Sequence, residues 1–342
     1  MSWKGVSELY LDEAKHRQDI EPDTLCEYGI SPLDDALIKI GSNELILIGA
    51  ETGTGKSEAG LIIAQHNAKK GKKVGIFYLE GGPEEAIQRM KWREISKRFY
   101  QRYPHKEFMD YKEWRYNVKH IPKLDEIEAE VYLEYEKLYK DNLQFYENTK
   151  DFTVQKLHSA LWDWAELLTK NIDLDLIIID HLQYFSLTKA ESEITEITKI
   201  LRSVRGIIEH YNKPIILISH LRKKTGGKHG KNIVVPAFDD FYGSSNIPKI
   251  STTAITLSNA ARNNSLKHNI YPTYLRVVKS RIGMSSKYVF LADFDLKTRS
   301  YRNEYDIYQV NSFNEVAPDK IDKNDLPKWA KGAKYGFLGE EE

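Results

Sequence analysis

Cysteine is almost absent from this chain of 342 residues, where Cys26 stands alone. A single thiol excludes an intramolecular disulfide framework and a cysteine-based zinc site, and it fits a reducing cytoplasm. Long hydrophobic runs are missing too. The longest apolar stretches, LILIGA and LIIID, have strand length, well short of the roughly 20 residues that a membrane-spanning helix needs. The opening MSWKGVSELYLDEAKHRQD lacks the continuous apolar core of a signal peptide. Net charge is absent as well: 50 Lys+Arg balance 50 Asp+Glu, which argues against a protein that coats nucleic acid by bulk electrostatics but leaves room for a local basic site. What is present suffices for a core. Hydrophobic residues make up 41% and charged residues 29%, a balance outside the disordered range and suited to one large domain or two ordinary ones.

Short runs rich in Ile, Leu and Val at 44–49, 74–80, 175–180 and 214–219 carry apolar residues on both faces, the pattern of strands buried in a parallel sheet. Helical patterns separate them. One covers 56–70, and another covers 191–211, with Ile194, Ile197, Leu201, Val204 and Ile208 at three- and four-residue spacing. This alternation predicts an α/β fold with a central, mostly parallel sheet, helices on both faces and right-handed crossovers. Three more strand-like runs, at 253–257, 273–278 and 287–294, extend the sheet. Between the second and third strands lies a polar, Tyr-rich insertion, 81–174, expected to be largely helical. Its charge is polarised: residues 91–123 hold 10 Lys+Arg against 4 Asp+Glu, and 124–148 hold 2 against 8. Leu124, Ile127, Val131, Tyr135 and Leu138 share one helical face, expected to pack on the sheet, with a contact between neighbouring subunits as the alternative. The stretch from Pro318 onward, ending in GEEE, reads as loosely ordered.

The strongest chemical signal is AETGTGKS, that is Ala50, Glu51, Thr52, Gly53, Thr54, Gly55, Lys56 and Ser57, directly after one strand and directly before a helix. It fits the phosphate-loop pattern with Ala in place of the first Gly. Small residues let the backbone wrap phosphates so that successive N–H groups and the helix N-terminus point at the anion. Lys56 is then expected to reach the β- and γ-phosphates of ATP, and the Ser57 hydroxyl to hold Mg²⁺. Asp180 ends the apolar run LIIID and supplies the carboxylate that such a loop needs for the metal or its water. Glu80 ends GIFYLE and is the candidate base that orients the attacking water. Two strand-end acids beside one phosphate loop point to hydrolysis rather than storage.

Five segments in order carry a resemblance: YGISPLDDALIKIGSNELILIGAETGTGKS, VGIFYLEGGPEEAIQRM, LIIIDHLQYFS with its following helix, IILISHLRK, and LRVVKSRIGMSSKYVFLADFD. Together they resemble the hexameric replicative helicases of the DnaB type, including the helicase parts of phage primase-helicases and of the mitochondrial Twinkle helicase. The match covers about residues 28–300. The resemblance implies a RecA-like P-loop NTPase fold, with Glu80 as catalytic base and Asp180 as second acid. It also implies that His220 senses the γ-phosphate, that Lys279 and Arg281 enter the next subunit's nucleotide site with Arg281 as the arginine finger, and that Phe294 lies near the base. The basic, Gly-rich segment RKKTGGKHGK, with Arg222, Lys223, Lys224, Lys228 and Lys231, follows the His220 strand, where the family places a channel loop that grips single-stranded DNA. By itself such a run is a solvated loop.

Two positions depart from the pattern: Lys249 stands where a Gln is common and Thr252 where an Asp often follows. The domain organisation expected is a subunit-contact arm at 1–27, a RecA-like domain at 28–312 and a tail at 313–342. The activity implied is ATP-dependent translocation on single-stranded DNA, 5′ to 3′, with unwinding of a forked duplex. The implied assembly is a homo-oligomeric ring, a hexamer, in the cytoplasm of a bacterial cell or phage-infected host, working with a primase, polymerase or loader and with no membrane. The rival readings are a recombinase-like or KaiC-like ATPase that binds nucleic acid without unwinding it, and an assembly factor that uses ATP binding as a switch.

Overall fold

The computed structural model describes residues 4–79, 81–104, 109–118, 121–146, 162–163, 166, 173–182, 193–222, 233–241, 249–260, 269–281 and 286–330. Helix α1 (Val6–Asp19) buries none of its residues, and Val6, Leu9, Tyr10 and Leu11 are all exposed. The packed fold starts at Cys26, and a short helix α2 (Ser31–Leu37) leads to β1 (Leu45–Ala50), α3 (Lys56–Lys69) and β2 (Val74–Tyr78). The insertion contributes α4 (Pro83–Arg102), α5 (Tyr111–Arg115), α6 (Pro122–Glu134), a π-helical turn (Tyr135–Tyr139) and β3 (Leu143–Phe145). Then come β4 (Leu176–Asp180), α7 (Glu193–Tyr211), β5 (Ile215–His220), β6 (Thr253–Asn259), β7 (Ile270–Ser280), β8 (Tyr288–Asp295), β9 (Ser300–Val310) and β10 (Val316–Lys320).

These strands form one sheet in the order β10-β9-β8-β7-β6-β1-β5-β4-β2-β3. From β3 to β6 the neighbours are parallel, and from β6 to β10 they are antiparallel. The two-residue period of a strand assigns the apolar runs to two cores. Ile46, Ile48, Ile178, Ile216 and Ile218 face α3, while Leu45, Leu47, Ile177, Ile179, Ile215 and Leu217 face α7. Helix α7 meets them with Ile197, Ile200, Leu201, Val204, Ile207 and Ile208, the expected stripe with two additions. The side chain of Ile194 lies outside the described residues.

Several expectations change. The stripe on α6 packs on Trp92, Ile95 and Phe99 of α4 rather than on the sheet, and only Tyr135 also touches the main core. Helix α4 intervenes because it offers Ala86 and Met90 to the sheet side and its bulky aromatic face to α6. Part of the polarised charge of the insertion is likewise paired within the chain, since Lys91, Arg98 and Arg102 of α4 pair with Glu128, Glu130 and Glu134 of α6. The fold also runs past residue 312. Pro318 sits inside β10, and Trp329 packs edge-on against Tyr288 and Phe290 at ring distances of 5.9 and 5.7 Å. Strand β9 escaped the reading because its exposed Arg302, Asn303 and Glu304 break the apolar pattern. Strand β10 pairs only at the sheet edge, where polar residues are tolerated.

The entry into the sheet is tied to α3. Gly29 has φ +64°, and a Cβ there would lie 2.5 Å from Cγ of His66, so both conformation and space require glycine. Next to it, Glu27 accepts hydrogen bonds from Lys39 and Lys70 and contacts His66 Nε2 at 2.7 Å. Burial pushes the Glu27 carboxyl up, but these three partners outweigh it and hold it down at about 2.

Two consequences can be measured. Leu201→Ala, which opens a cavity under α7, lowers the unfolding free energy in urea by about 2–5 kcal/mol. A carboxylate with a depressed pKa stabilises above its unfolded value, about 4.3, and loses that contribution as pH falls toward 2. Glu27→Gln is therefore less stable than the parent at pH 7, and the gap closes between about pH 4 and pH 2; a gap constant across that window contradicts the assignment.

Candidate functional site

Strand β1 runs through the middle of the sheet with every residue buried, and its last residue, Ala50, delivers the chain to the phosphate loop. Gly53 and Gly55 take φ of 84° and 90°, a region that side-chain-bearing residues rarely adopt. A Cβ at either position would meet nothing within 4 Å, so the backbone conformation rather than crowding calls for glycine. Gly55 caps α3 without any side-chain hydrogen bond to the first turn. The first N–H groups of that helix are thus left for an anion, the arrangement that binds phosphate at helix N-termini.

The loop forms the floor of a cavity of about 440 Å³, within the range of small-molecule sites. Thr52 through Ser57 line it, with Lys56 at 6% exposure. One wall is made by Tyr78 at the end of β2, Gly81, and Glu85 and Arg89 of α4. The opposite wall holds Asn259, Tyr271, Thr273, Phe294, Leu296 and Arg299 from the β6 to β9 region. Phe294 pairs in register with Tyr271 and rests edge-on against Tyr301 at 5.1 Å, so its ring forms a fixed apolar surface in that wall.

Parallel register brings the other expected groups to the same end of the sheet. His220 pairs with Ala50, directly beside the loop, and its ring meets that of His181 edge-on at 4.5 Å. Asp180 pairs with Tyr78 and with Ile218, and its carbonyl accepts a hydrogen bond from the Leu79 amide at 2.6 Å. It is 2% exposed and does not line the cavity; β5 stands between its strand and β1, a backbone separation of about 10 Å. Glu80 lies outside the described residues, as do Lys223, Lys224, Lys228 and Lys231. Arg222 is described and exposed, with its amide donating to the Asp240 carbonyl at 2.7 Å.

Lys279 and Arg281 are placed elsewhere. Strand β7 runs antiparallel to β6, so it begins beside the cavity and ends at the opposite edge of the sheet. The Arg281 amide donates to the Thr252 carbonyl, and the Thr252 amide to the Leu45 carbonyl at the start of β1. The basic pair is therefore about one strand length, roughly 20 Å, from the phosphate loop of its own chain. Lys279 Nζ donates to the carbonyls of Lys249 at 2.9 Å and Ser251 at 2.5 Å, and burial, then the charge of Arg281, lowers its pKa. Thr252, one of the departures, ties the start of β1 to β6. Its hydroxyl donates to the Leu45 carbonyl at 2.9 Å and accepts from the Leu45 amide at 3.0 Å.

The reading of the residues missed Tyr271, Arg89, Arg299 and Glu58 as cavity-wall groups. Glu58 had a visible signal, an acid directly after the Ser57 position. The two arginines had none, because only folding brings residues 89 and 299 within hydrogen-bond reach of residue 58.

Comparison with known proteins bears directly on this arrangement. The chain resembles the probable replicative DNA helicase of Trieres chinensis, 24% identical over 247 residues that cover 70% of this chain and 49% of that protein. It also resembles the probable plasmid replicative DNA helicase of Chlamydia trachomatis, 35% identical over 81 residues, 24% of this chain and 17% of that protein. The chain thus spans about half, or less, of the curated relatives it matches. Among solved structures, an isolated ATPase domain superposes with TM-score 0.69 at 16% identity over 88% of this chain and 99% of that one. A DnaB-like replicative helicase, described with its interactions with primase, gives 0.66 at 15% identity over 88% of this chain and 67% of that one. At these identities the superpositions establish the fold, a RecA-like ATPase architecture with the phosphate loop after the central strand. The family model for the DnaB-like helicase C-terminal domain matches residues 26–302, and the chain belongs to that family.

Proposed function

We propose that this chain is the ATP-driven motor of a replicative DNA helicase, working as a ring of identical subunits in which each nucleotide site is completed by the next subunit. The observation that carries this reading is the split of the machinery across one sheet. The phosphate loop sits at one end, and Arg281 sits at the other. One chain cannot apply its own Arg281 to its own cavity, whereas a head-to-tail neighbour can, and repeated head-to-tail contact gives a ring where the rotation between neighbours closes. Helix α1 supports the same assembly: Val6, Leu9, Tyr10 and Leu11 are exposed and fit an arm packed on the adjacent subunit. The ring is proposed to be a hexamer.

In this mechanism the phosphates of ATP rest on the loop amides and the α3 N-terminus, and Lys56 reaches the β- and γ-phosphates. The Ser57 hydroxyl in the cavity and Asp180 behind it are oxygen donors that suit Mg²⁺. With these two protein oxygens, the remaining ligands would come from nucleotide oxygens and water. Bound there, the metal would offset phosphate charge. Glu80 orients the water, and His220, beside Ala50 at the end of β5, relays the presence of the γ-phosphate to Arg222, two residues on, and the basic segment that follows. Arg281 of the neighbour stabilises charge developing on the transferred phosphoryl group. Arg222 and the lysines of the basic segment hold single-stranded DNA by its phosphates without reading bases, with movement 5′ to 3′ and a primase, polymerase or loader as partner at the fork. No helix among the described residues is long and apolar enough to cross a membrane, and the cytoplasm is the proposed location.

The direct test is ATPase with and without single-stranded DNA, together with unwinding of a forked duplex, at concentrations where the protein is oligomeric. Stimulation by DNA and strand separation are expected. Normal ATPase with no unwinding would instead favour a recombinase-like or KaiC-like activity, and absence of DNA-stimulated ATPase would remove the helicase reading. Arg281→Ala should lower turnover by about a thousandfold or more while nucleotide still binds. Mixing it with Lys56→Ala, equally inactive alone, should restore part of the activity, because the intact Arg281 of one variant then faces the intact loop of the other. No recovery on mixing, in mixed oligomers verified by mass, would mean that the finger does not act between subunits.

A further inference from the structure

One carboxylate of this protein is shared by three arginines at the edge of the nucleotide cavity. Glu58 follows Ser57 in the first turn of α3, and its side chain is 5% exposed. Its Oε2 accepts from Arg93 Nη2 at 2.8 Å, and its Oε1 from Arg89 Nη1 at 3.2 Å and Arg299 Nε at 3.1 Å, with Arg299 Nη2 in closer contact. Arg89 is also held by Glu85, and Arg93 Nε donates to the Arg299 carbonyl at 2.7 Å. The guanidinium of Arg299 lies over the Tyr111 ring at 4.7 Å. Burial would raise the Glu58 carboxyl, but Arg299, Arg93 and Arg89 outweigh it and hold it below the usual carboxylate range.

An anionic carboxylate one residue after the metal-binding Ser57 would repel a nucleotide if it faced the phosphates uncompensated. Here three guanidinium groups stand against two carboxylates, Glu58 and Glu85, which leaves one positive charge in excess. Arg89 and Arg299 both line the cavity, whereas Arg93 does not. Arg299 commits Nε and Nη2 to Glu58, and its Nη1 has no partner among the described residues. Its position is intermediate: it is bonded to the residue beside Ser57, and it shares a wall with Phe294 and Leu296. A nucleotide with its β- and γ-phosphates on Lys56 and its base against Phe294 must pass its α-phosphate and ribose between those two points.

We infer that Arg299 binds the α-phosphate–ribose segment of the nucleotide and that Glu58 is the positioning residue that presents it. The inference rests on the proposed ATP site and adds to it a contact that does not depend on the γ-phosphate. The experiment is equilibrium binding of ADP and of a nonhydrolysable ATP analogue, beside the melting temperature without nucleotide. Arg299→Ala should weaken both ligands by the same factor, about tenfold to a hundredfold, as for a lost charge-assisted hydrogen bond. Arg299→Lys should recover part of it, since the charge stays while the planar fork is lost. Glu58→Gln should weaken both in the same way, and Glu58→Gln with Arg299→Ala should bind no worse than the weaker single variant. A lower melting temperature with unchanged affinities would make the cluster a structural brace only, and a loss confined to the ATP analogue would put Arg299 on the γ-phosphate; either result overturns the inference. If Glu58→Gln does not fold, the two Arg299 variants decide alone. If the parent protein binds neither nucleotide, the ATP site itself is wrong, whereas a parent that binds and an Arg299→Ala variant that binds equally refute only this contact.

Discussion

Burial of β1 on both faces and both edges is the constraint from which the rest of the structure follows. Leu45 and Leu47 are committed to the α7 side and Ile46, Ile48 and Ala50 to the α3 side, while β5 and β6 take its backbone hydrogen bonds. A strand held in this way cannot slip, because a shift of one residue would turn every side chain to the wrong core. The phosphate loop inherits that precision. Its glycines adopt left-handed backbone angles in open space, and a loop of that kind keeps a useful shape only when both of its ends are anchored in packed structure.

The sheet has two halves with different jobs. In the parallel half, strand ends converge on one edge, which is why Ala50, Asp180 and His220 come to the same end of the sheet although they are far apart in sequence. In the antiparallel half, each turn reverses the direction, so the wall residues Tyr271 and Phe294 come back to the cavity while Lys279 and Arg281 are carried away from it. The separation of the basic pair from its own cavity is thus a topological necessity once β7 is antiparallel to β6. The proposed ring, in which a neighbour supplies Arg281, rests on that geometry.

The insertion is the least legible region of the sequence, for a physical reason. Its basic and acidic halves are separate in sequence, yet Arg98 and Arg102 of α4 pair with Glu130 and Glu134 of α6 side by side. A charge run does not state whether its counter-charges lie in solvent, in a partner or on the next helix. The Glu58 cluster was invisible for a related reason. It gathers side chains from α3, from α4 and from the turn between β8 and β9, and no periodic pattern links those positions.

Local order settled much of this protein. The two-sided apolar strands, the helical stripe of α7, and the glycines and Lys56 of the phosphate loop are all short-range patterns, since side-chain periodicity and left-handed turns depend on neighbours in sequence. Only the tertiary structure decided which strands lie beside β1, that Asp180 stands behind the cavity wall rather than in it, that Arg281 ends at the far edge, and that the fold continues through β10 to Trp329. Those outcomes depend on strand order, direction and helix packing, which arise from contacts between residues tens to hundreds of positions apart.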